Sequence, residues 1–159
     1  MGERAETVRG LDAVLRHLRH DRYGLYGTLV RERFLTGLAR EVTPTAYRVL
    51  RFIEASSPPP PSVTDIADLL MTDRPRAVRV VDQLTDAGLV ARERDAVDHR
   101  IRRVSLTDSG RQLLAEATAR RVQLLEEALA GWPDEDLAHL TRLLGRLNDC
   151  AVRHVCGSA

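Results

Sequence analysis

Apolar residues recur three and four positions apart through residues 5–38, at Val8, Leu11, Val14, Leu15, Leu18, Leu25, Leu29, Val30, Phe34 and Leu38. That spacing predicts one long amphipathic helix, weakened in its middle by Gly24 and Gly27. A helix of this length needs something to pack on, and a partner subunit is the natural candidate. Thr43-Pro44 opens a second helix, with Thr as the cap and Pro in the first turn, running through Ala46, Tyr47, Val49, Leu50 and Ile53. It stops before Ser56-Ser57-Pro58-Pro59-Pro60-Pro61, a stiff polyproline connector. Thr64 reads as the cap of a short helix over residues 65–71, with Ile66, Leu69 and Leu70 inward. Thr72 or Asp73 opens the next, over residues 74–87, which Gly88 closes.

Two short helices joined by a tight turn form a helix-turn-helix. Two strand-like runs follow, residues 89–94 and 101–107, joined by the polar turn Asp95-Ala96-Val97-Asp98-His99-Arg100. A hairpin in that place is a wing. Thr107 and Gly110 then begin a long helix through Leu113, Leu114, Ala117, Val122, Leu124, Leu125 and Leu129. Trp132-Pro133-Asp134 breaks it and starts a last helix carrying Leu137, Leu140, Leu143, Leu144, Leu147, Ala151 and Val155. The expected fold is therefore mainly α with a small β wing: a winged helix-turn-helix over residues 43–107, flanked by long terminal helices (1–40 and 108–159) in a single domain spanning 1–159. The apolar stripes of those terminal helices need burial, and a two-fold dimer in which they interleave provides it. Such a dimer sets two recognition helices about one turn of DNA apart.

Composition narrows the class. The chain of 159 residues is 43% hydrophobic and 30% charged, so it should fold, while aromatics at 4% suit an aliphatic helical interior. No apolar run approaches a membrane span, the start MGERAETVRG has no signal-peptide core, and two cysteines near the end make no disulfide framework. A soluble cytoplasmic protein is expected. All 24 basic residues are arginine, a bias that codon usage alone can produce. Residues 72–106 carry eight arginines against six acids and residues 107–159 six against eight, which places a modest positive excess on the winged region. No GxSxG, phosphate-cradling glycine loop or HExxH is present, and catalysis is not expected.

The order of motifs resembles the MarR family, the multiple-antibiotic-resistance regulators, over roughly residues 25–147. The stretches that carry the likeness are Thr43-Pro44-Thr45-Ala46-Tyr47-Arg48-Val49-Leu50, Val63-Thr64-Asp65-Ile66-Ala67, Arg79-Val80-Val81-Asp82-Gln83-Leu84-Thr85-Asp86-Ala87-Gly88-Leu89-Val90, and Asp98-His99-Arg100 followed by Val104-Ser105-Leu106-Thr107-Asp108-Ser109-Gly110. The last pair is similar to the family's wing signature. The resemblance implies a homodimeric bacterial repressor of a pseudo-palindromic operator, released by a small ligand or an oxidant. Arg74-Pro75-Arg76 stands where members commonly carry Ser or Thr, which leaves the base readout open.

Within the helix over residues 74–87, Ala77, Val80, Val81 and Leu84 form the inward stripe. Arg76, Arg79 and Gln83 share the outward face, with Arg74 and Pro75 at its start. Guanidinium groups fork to guanine O6 and N7, so this face is expected on double-stranded DNA, with Arg79 foremost. Arg100 suits minor-groove insertion, and Asp98 can hold its side chain. Of Arg102 and Arg103 only one can face the duplex, because neighbours on a strand point to opposite sides; Arg102 is the candidate. Thr45 and Thr64 lie near helix N-termini, where a hydroxyl either caps or meets phosphate.

An effector pocket for a small aromatic or acidic ligand, implied by the resemblance, would involve Arg22, Tyr23, Tyr26 and Tyr47; aromatic core packing is the plainer alternative for each. His17, His20, Cys150 and His154 are possible zinc ligands if the first and last helices meet, although neither pair has a recognised zinc spacing, so no metal or other cofactor is assigned. Cys150 and Cys156 lie six residues apart on one helix, beyond disulfide reach, and read as incidental thiols. A constitutive or architectural DNA-binding protein without ligand, a zinc-responsive repressor, and a helical dimer acting through protein partners are the alternatives to a ligand-released repressor.

Overall fold

A computed structural model describes residues 2–19, 35, 38, 42–95 and 97–156. The chain divides into two compact units, Met1–Leu124 and Leu125–Ala159. The described elements are helices α1 (Gly2–Arg19), α2 (Pro44–Ala55), α3 (Val63–Leu70) and α4 (Arg74–Asp86), strands β1 (Val90–Arg94) and β2 (Arg102–Leu106), and helices α5 (Asp108–Ala128) and α6 (Asp134–Cys156). The fold is mainly helical with one small antiparallel sheet, as the pattern of the chain predicts. Of the long helix expected over residues 5–38, α1 accounts for residues up to Arg19, residues 20–34, 36 and 37 lie outside the described residues, and Leu35 and Leu38 are buried and sit in bends.

Local chemistry sets the helix ends. Thr43 Oγ1 accepts from the Ala46 N–H (3.1 Å) and Pro44 occupies the first turn of α2. The start of α3 differs from the expected one. Ser62, not Thr64, is the cap: its Oγ accepts from the Asp65 N–H at 3.3 Å while Asp65 Oδ2 accepts from the Ser62 N–H at 2.7 Å. This reciprocal pair satisfies two otherwise orphaned donors, so the helix starts at Val63, with Thr64 inside its first turn. α3 ends on Met71, a non-glycine residue in the left-handed region (φ 52°) whose N–H meets the Ala67 and Asp68 carbonyls. Asp73 caps α4 by accepting from the Arg76 N–H at 3.0 Å.

The core of the first unit gathers Val49, Leu50 and Ile53 from α2, Val63, Ile66 and Ala67 from α3, Ala77, Val81 and Leu84 from α4, Leu89, Val90 and Val104 from the wing, and Leu113, Leu114 and Ala117 from α5. Leu35 and Leu38 join it. Val80, expected inward, is only partly buried against this cluster.

β1 and β2 pair from Val90↔Leu106 to Arg94↔Arg102. The proline connector is tied down as well. Pro61 is buried, its carbonyl accepts from the Val104 N–H at 2.8 Å, and Ser62 bridges to Arg103, which adds a short third edge to the wing.

One junction fixes α4, the wing and α5 to each other. Thr107 Oγ1 donates to the Gly88 carbonyl at 2.7 Å and accepts from the Gly110 N–H at 3.0 Å, while the Thr107 N–H reaches the Leu89 carbonyl at 3.1 Å. Gly88, at φ 69°, turns the chain out of α4. Gly110 lies so near β1 that a Cβ there would stand 2.1 Å from the Leu89 carbonyl oxygen. In the second unit, α6 opens with Asp134, Glu135 and Asp136, acids that suit the positive end of a helix. Its Leu140, Leu143, Leu144 and Leu147 are all exposed, as are Val8, Leu11 and Val14 of α1.

Gly110→Ala is expected to lower stability by about 1–3 kcal/mol or more, because backbone must move to admit the methyl group. Gly145→Ala, where a Cβ meets nothing within 4 Å, is expected to raise it by about 0.5–1 kcal/mol through helix propensity. Urea midpoints of the two variants moving in opposite directions would check both.

Candidate nucleic-acid interface

The buried stripe of α4 (Ala77, Val81, Leu84) pins one side of the helix to the core and turns the other outward. Arg74, Pro75, Arg76, Arg79 and Gln83 are all exposed. None of the side chains of Arg74, Arg76 and Arg79 holds a hydrogen bond or ion pair among the described residues. The same is true of Arg94, Arg100 and Arg102 on the wing.

The other arginines of this unit with described contacts are engaged. Arg48 donates to the Leu69 carbonyl (3.1 Å), Arg51 pairs with Glu54, and Arg111 bonds Asp108 Oδ1 and the Leu106 carbonyl. Arg92 pairs with Asp82 Oδ1 at 2.6 Å, tying the middle of the wing to the middle of α4, and its Nη2 also reaches the Val78 carbonyl at 3.4 Å. Its Nε is buried without a partner.

The wing turn is organised by Asp95. Its Oδ1 accepts from the Val97 and Asp98 N–H groups, both at 2.9 Å, and its Oδ2 from Arg103 Nε at 2.6 Å. Arg103 Nη1 in turn donates to the Pro60 carbonyl at 3.2 Å. Asp98 does not hold the Arg100 guanidinium as expected. Its Oδ1 instead accepts the Arg100 backbone N–H at 2.9 Å, a short local turn that leaves the guanidinium unpaired. Arg102 is exposed and Arg103 half-buried under this bracing, in line with strand alternation.

Between the start of α3, the start of α4 and the wing lies an open cleft of about 780 Å³. Thr64, Arg74, Arg100 and Arg102 line it together, joined by Arg92 and Arg103. Thr45 is exposed on the first turn of α2 but is not part of this lining, and Arg76, Arg79, Gln83 and Asp98 also lie outside it. The pattern Ser62-Val63-Thr64-Asp65 could have identified the true cap of α3. Nothing in the sequence marks Arg92, Asp95 and Arg103 as braces, because their partners lie across the fold.

Tyr47 is 3% exposed, a core residue whose hydroxyl accepts from Arg121 Nη1 at 3.3 Å. Arg22, Tyr23, Tyr26 and His20 lie outside the described residues, as do the side chains of His17, His154 and Cys156. Cys150 is an exposed free thiol whose Sγ accepts from Arg153 Nη2 at 3.4 Å. No helix among the described residues is long and apolar enough to cross a membrane.

The network around Asp95 holds its carboxyl at a pKa of about 2, below the ordinary 3.8, through the Asp98 N–H first, then Arg103 and the Val97 N–H. A carboxyl acidified by folding stabilises the fold fully above its unfolded pKa and loses that contribution as pH falls toward the folded value. The wing turn is therefore expected to keep its order at pH 5 and to lose it between about pH 4 and 2, with the Asp95 carboxyl carbon titrating near 2 by NMR. Asp95→Asn should remove this part of the acid response.

Residues 41–101, which contain α2, the helix-turn-helix and β1, match the model of the MarR family. The whole chain resembles solved structures at low identity. A MarR family protein from Bacillus stearothermophilus is 22% identical, with 96% of this chain and 99% of that chain covered and a TM-score of 0.67. The transcriptional regulator BldR from Sulfolobus solfataricus is 25% identical over 92% of this chain and 99% of that one, at a TM-score of 0.56. A point variant of Staphylococcus aureus MepR, solved bound to an oligodeoxyribonucleotide, is 16% identical over 95% and 99%, at a TM-score of 0.55. Residues 41–101 are thus similar to the MarR family, and the outward face of α4 followed by an arginine-bearing wing gives the chain the winged helix-turn-helix fold of these structures.

Proposed function

We propose that the protein binds double-stranded DNA as a homodimer and represses transcription from a pseudo-palindromic operator. The observation that carries this reading is the distribution of arginine. Those that brace the fold are paired, whereas Arg74, Arg76, Arg79, Arg100 and Arg102 are exposed and unpaired on α4 and the wing. In this reading Arg76, Arg79 and Gln83 enter the major groove, where guanidinium and amide groups fork to base edges. Arg100 enters the minor groove, and Asp98 shapes the turn that presents it. Arg74, Arg102, Thr64 and Thr45 meet backbone phosphates. The DNA-bound MepR variant of the same fold supports the direction of this assignment.

Dimerisation is supported by the apolar stripes left exposed on the terminal helices, Val8, Leu11 and Val14 on α1 and Leu140, Leu143, Leu144 and Leu147 on α6. Residues 1–40 and 108–159 supply the dimer contacts, and residues 43–107 the DNA-binding region. A small aromatic or acidic effector releases the operator by binding the DNA-free arrangement more tightly than the bound one, since equal affinity for both shifts nothing. The protein acts in the cytoplasm, where its operator lies.

Binding to the duplex upstream of its own gene, followed by fluorescence anisotropy across a salt series, is expected to weaken steeply with salt as counterions are released. Arg79→Ala should cost about 1–3 kcal/mol and relax preference at one base position. Arg100→Ala should weaken binding with the dimer intact. Both variants binding like the parent would overturn the site assignment. Leu143→Glu with Leu144→Glu is expected to halve the particle mass by light scattering and to abolish tight duplex binding, because the half-sites would no longer be held together.

A further inference from the structure

The cleft between α3, α4 and the wing is more than a gap between DNA-reading elements. Five arginines line it, Arg74, Arg92, Arg100, Arg102 and Arg103, against one acid, Asp65, whose Oδ2 is already committed to the Ser62 N–H. Arg92 and Arg103 are neutralised by Asp82 and Asp95. Arg74, Arg100 and Arg102 are exposed with no counter-charge.

The charge and shape of the lining point to the class of ligand it suits. Arg102 stands directly across the hairpin from Arg94, which lies outside the lining, and like charges so placed add to the positive potential at the cleft's edge. Arg92 lines the cleft, but its Nε is buried and its guanidinium is already paired with Asp82, so it adds positive potential rather than a direct contact. The remaining lining is Ser62, Val63, Thr64, Val78 and Ile101, with no aromatic ring on which a base could stack. At about 780 Å³ the space exceeds a single phosphate and suits a run of them.

We propose that this cleft is a phosphate-chain site, with Arg74 and Arg102 as its principal unpaired cations and Arg100 at its side. The proposal rests on reading this surface as the DNA face, and it names a ligand chemistry that two sources share: consecutive phosphates of a DNA strand, or a free linear polyphosphate. Guanidinium suits both, because its planar fork meets phosphate oxygens two at a time. A free polyphosphate held here would compete directly with the operator, giving a means of release that needs no change in the angle between two subunits.

The test uses the full-length protein and tripolyphosphate as the probe, by isothermal titration calorimetry at low salt without magnesium, beside duplex binding by anisotropy. One saturable site per chain is expected. Arg74→Gln and Arg102→Gln should each weaken tripolyphosphate about tenfold or more, the scale of a lost charge-assisted contact. Arg79→Gln, on the outward face of α4 away from the cleft, should leave tripolyphosphate binding unchanged. All three positions are exposed, and circular dichroism melts should match the parent. Absence of a saturable site, or equal affinity in the parent and both cleft variants, overturns the proposal even if duplex binding persists. Cleft-dependent tripolyphosphate binding by a protein that ignores duplex DNA would sustain the site and overturn the DNA reading. If the cleft variants lose duplex binding in parallel, the occupant includes a DNA strand; if they lose only tripolyphosphate, it is a free polyphosphate.

Discussion

The close approach of Gly110 to the Leu89 carbonyl, which leaves no room for a Cβ, fixes how α4, the wing and α5 meet. α4 must end, β1 must begin, and α5 must leave β2 within a few ångströms of each other. A side chain at residue 110 would hold α5 away. Thr107 completes the joint by donating to Gly88 and receiving from Gly110, so one hydroxyl satisfies the end of α4 and the start of α5 together. With that joint closed, the hydrophobic stripe of α4 joins the core that also holds Val90, Val104 and Leu114, and the face bearing Arg76, Arg79 and Gln83 is left to solvent. The exposure of Arg76, Arg79 and Gln83 follows from this packing.

Arginine does two different jobs in this chain, and partners separate them. Arg92 and Arg103 are part-buried, each with a carboxylate and a backbone carbonyl, and they hold the wing to α4 and to the proline connector. Losing either would leave a carboxylate without its cation and loosen the presentation of the wing. The exposed arginines on α4 and the wing brace nothing. Keeping them unpaired costs little in water, and it leaves their full charge for a polyanion. The absence of lysine sharpens the effect, since every cation here is a planar fork rather than a point charge.

Much of this was legible from the sequence. The 3.6-residue period around Ala77, Val81 and Leu84 fixes which face of α4 is buried, and therefore which arginines are outward. The Leu106-Thr107…Gly110 pattern points to the joint. Less visible was anything that depends on partners distant in the chain: Arg92 with Asp82, Arg103 with Asp95 and Pro60, and the cleft itself. One cap was misjudged, that of α3, whereas Asp73 was among the two candidates named for α4. Thr64 has the right side chain, yet Ser62 wins because only from there can Asp65 answer reciprocally. The end of α3 has no glycine to announce it, because Met71 accepts a left-handed conformation there. The Asp98–Arg100 contact was expected between side chains, but the shorter route from a carboxylate to an N–H two residues on prevailed.

The division of arginines into braces and free cations is the central claim, and the arginine side-chain Nε–H signals test it directly. On titration with operator duplex, the Nε–H signals of Arg74, Arg76, Arg79, Arg100 and Arg102 should shift or broaden in a saturable way. Those of Arg48, Arg51 and Arg111 should stay where they are. Uniform shifts across both sets would mean only diffuse attraction to a polyanion, and movement confined to the paired set would contradict the assignment of α4 and the wing as the DNA-binding face.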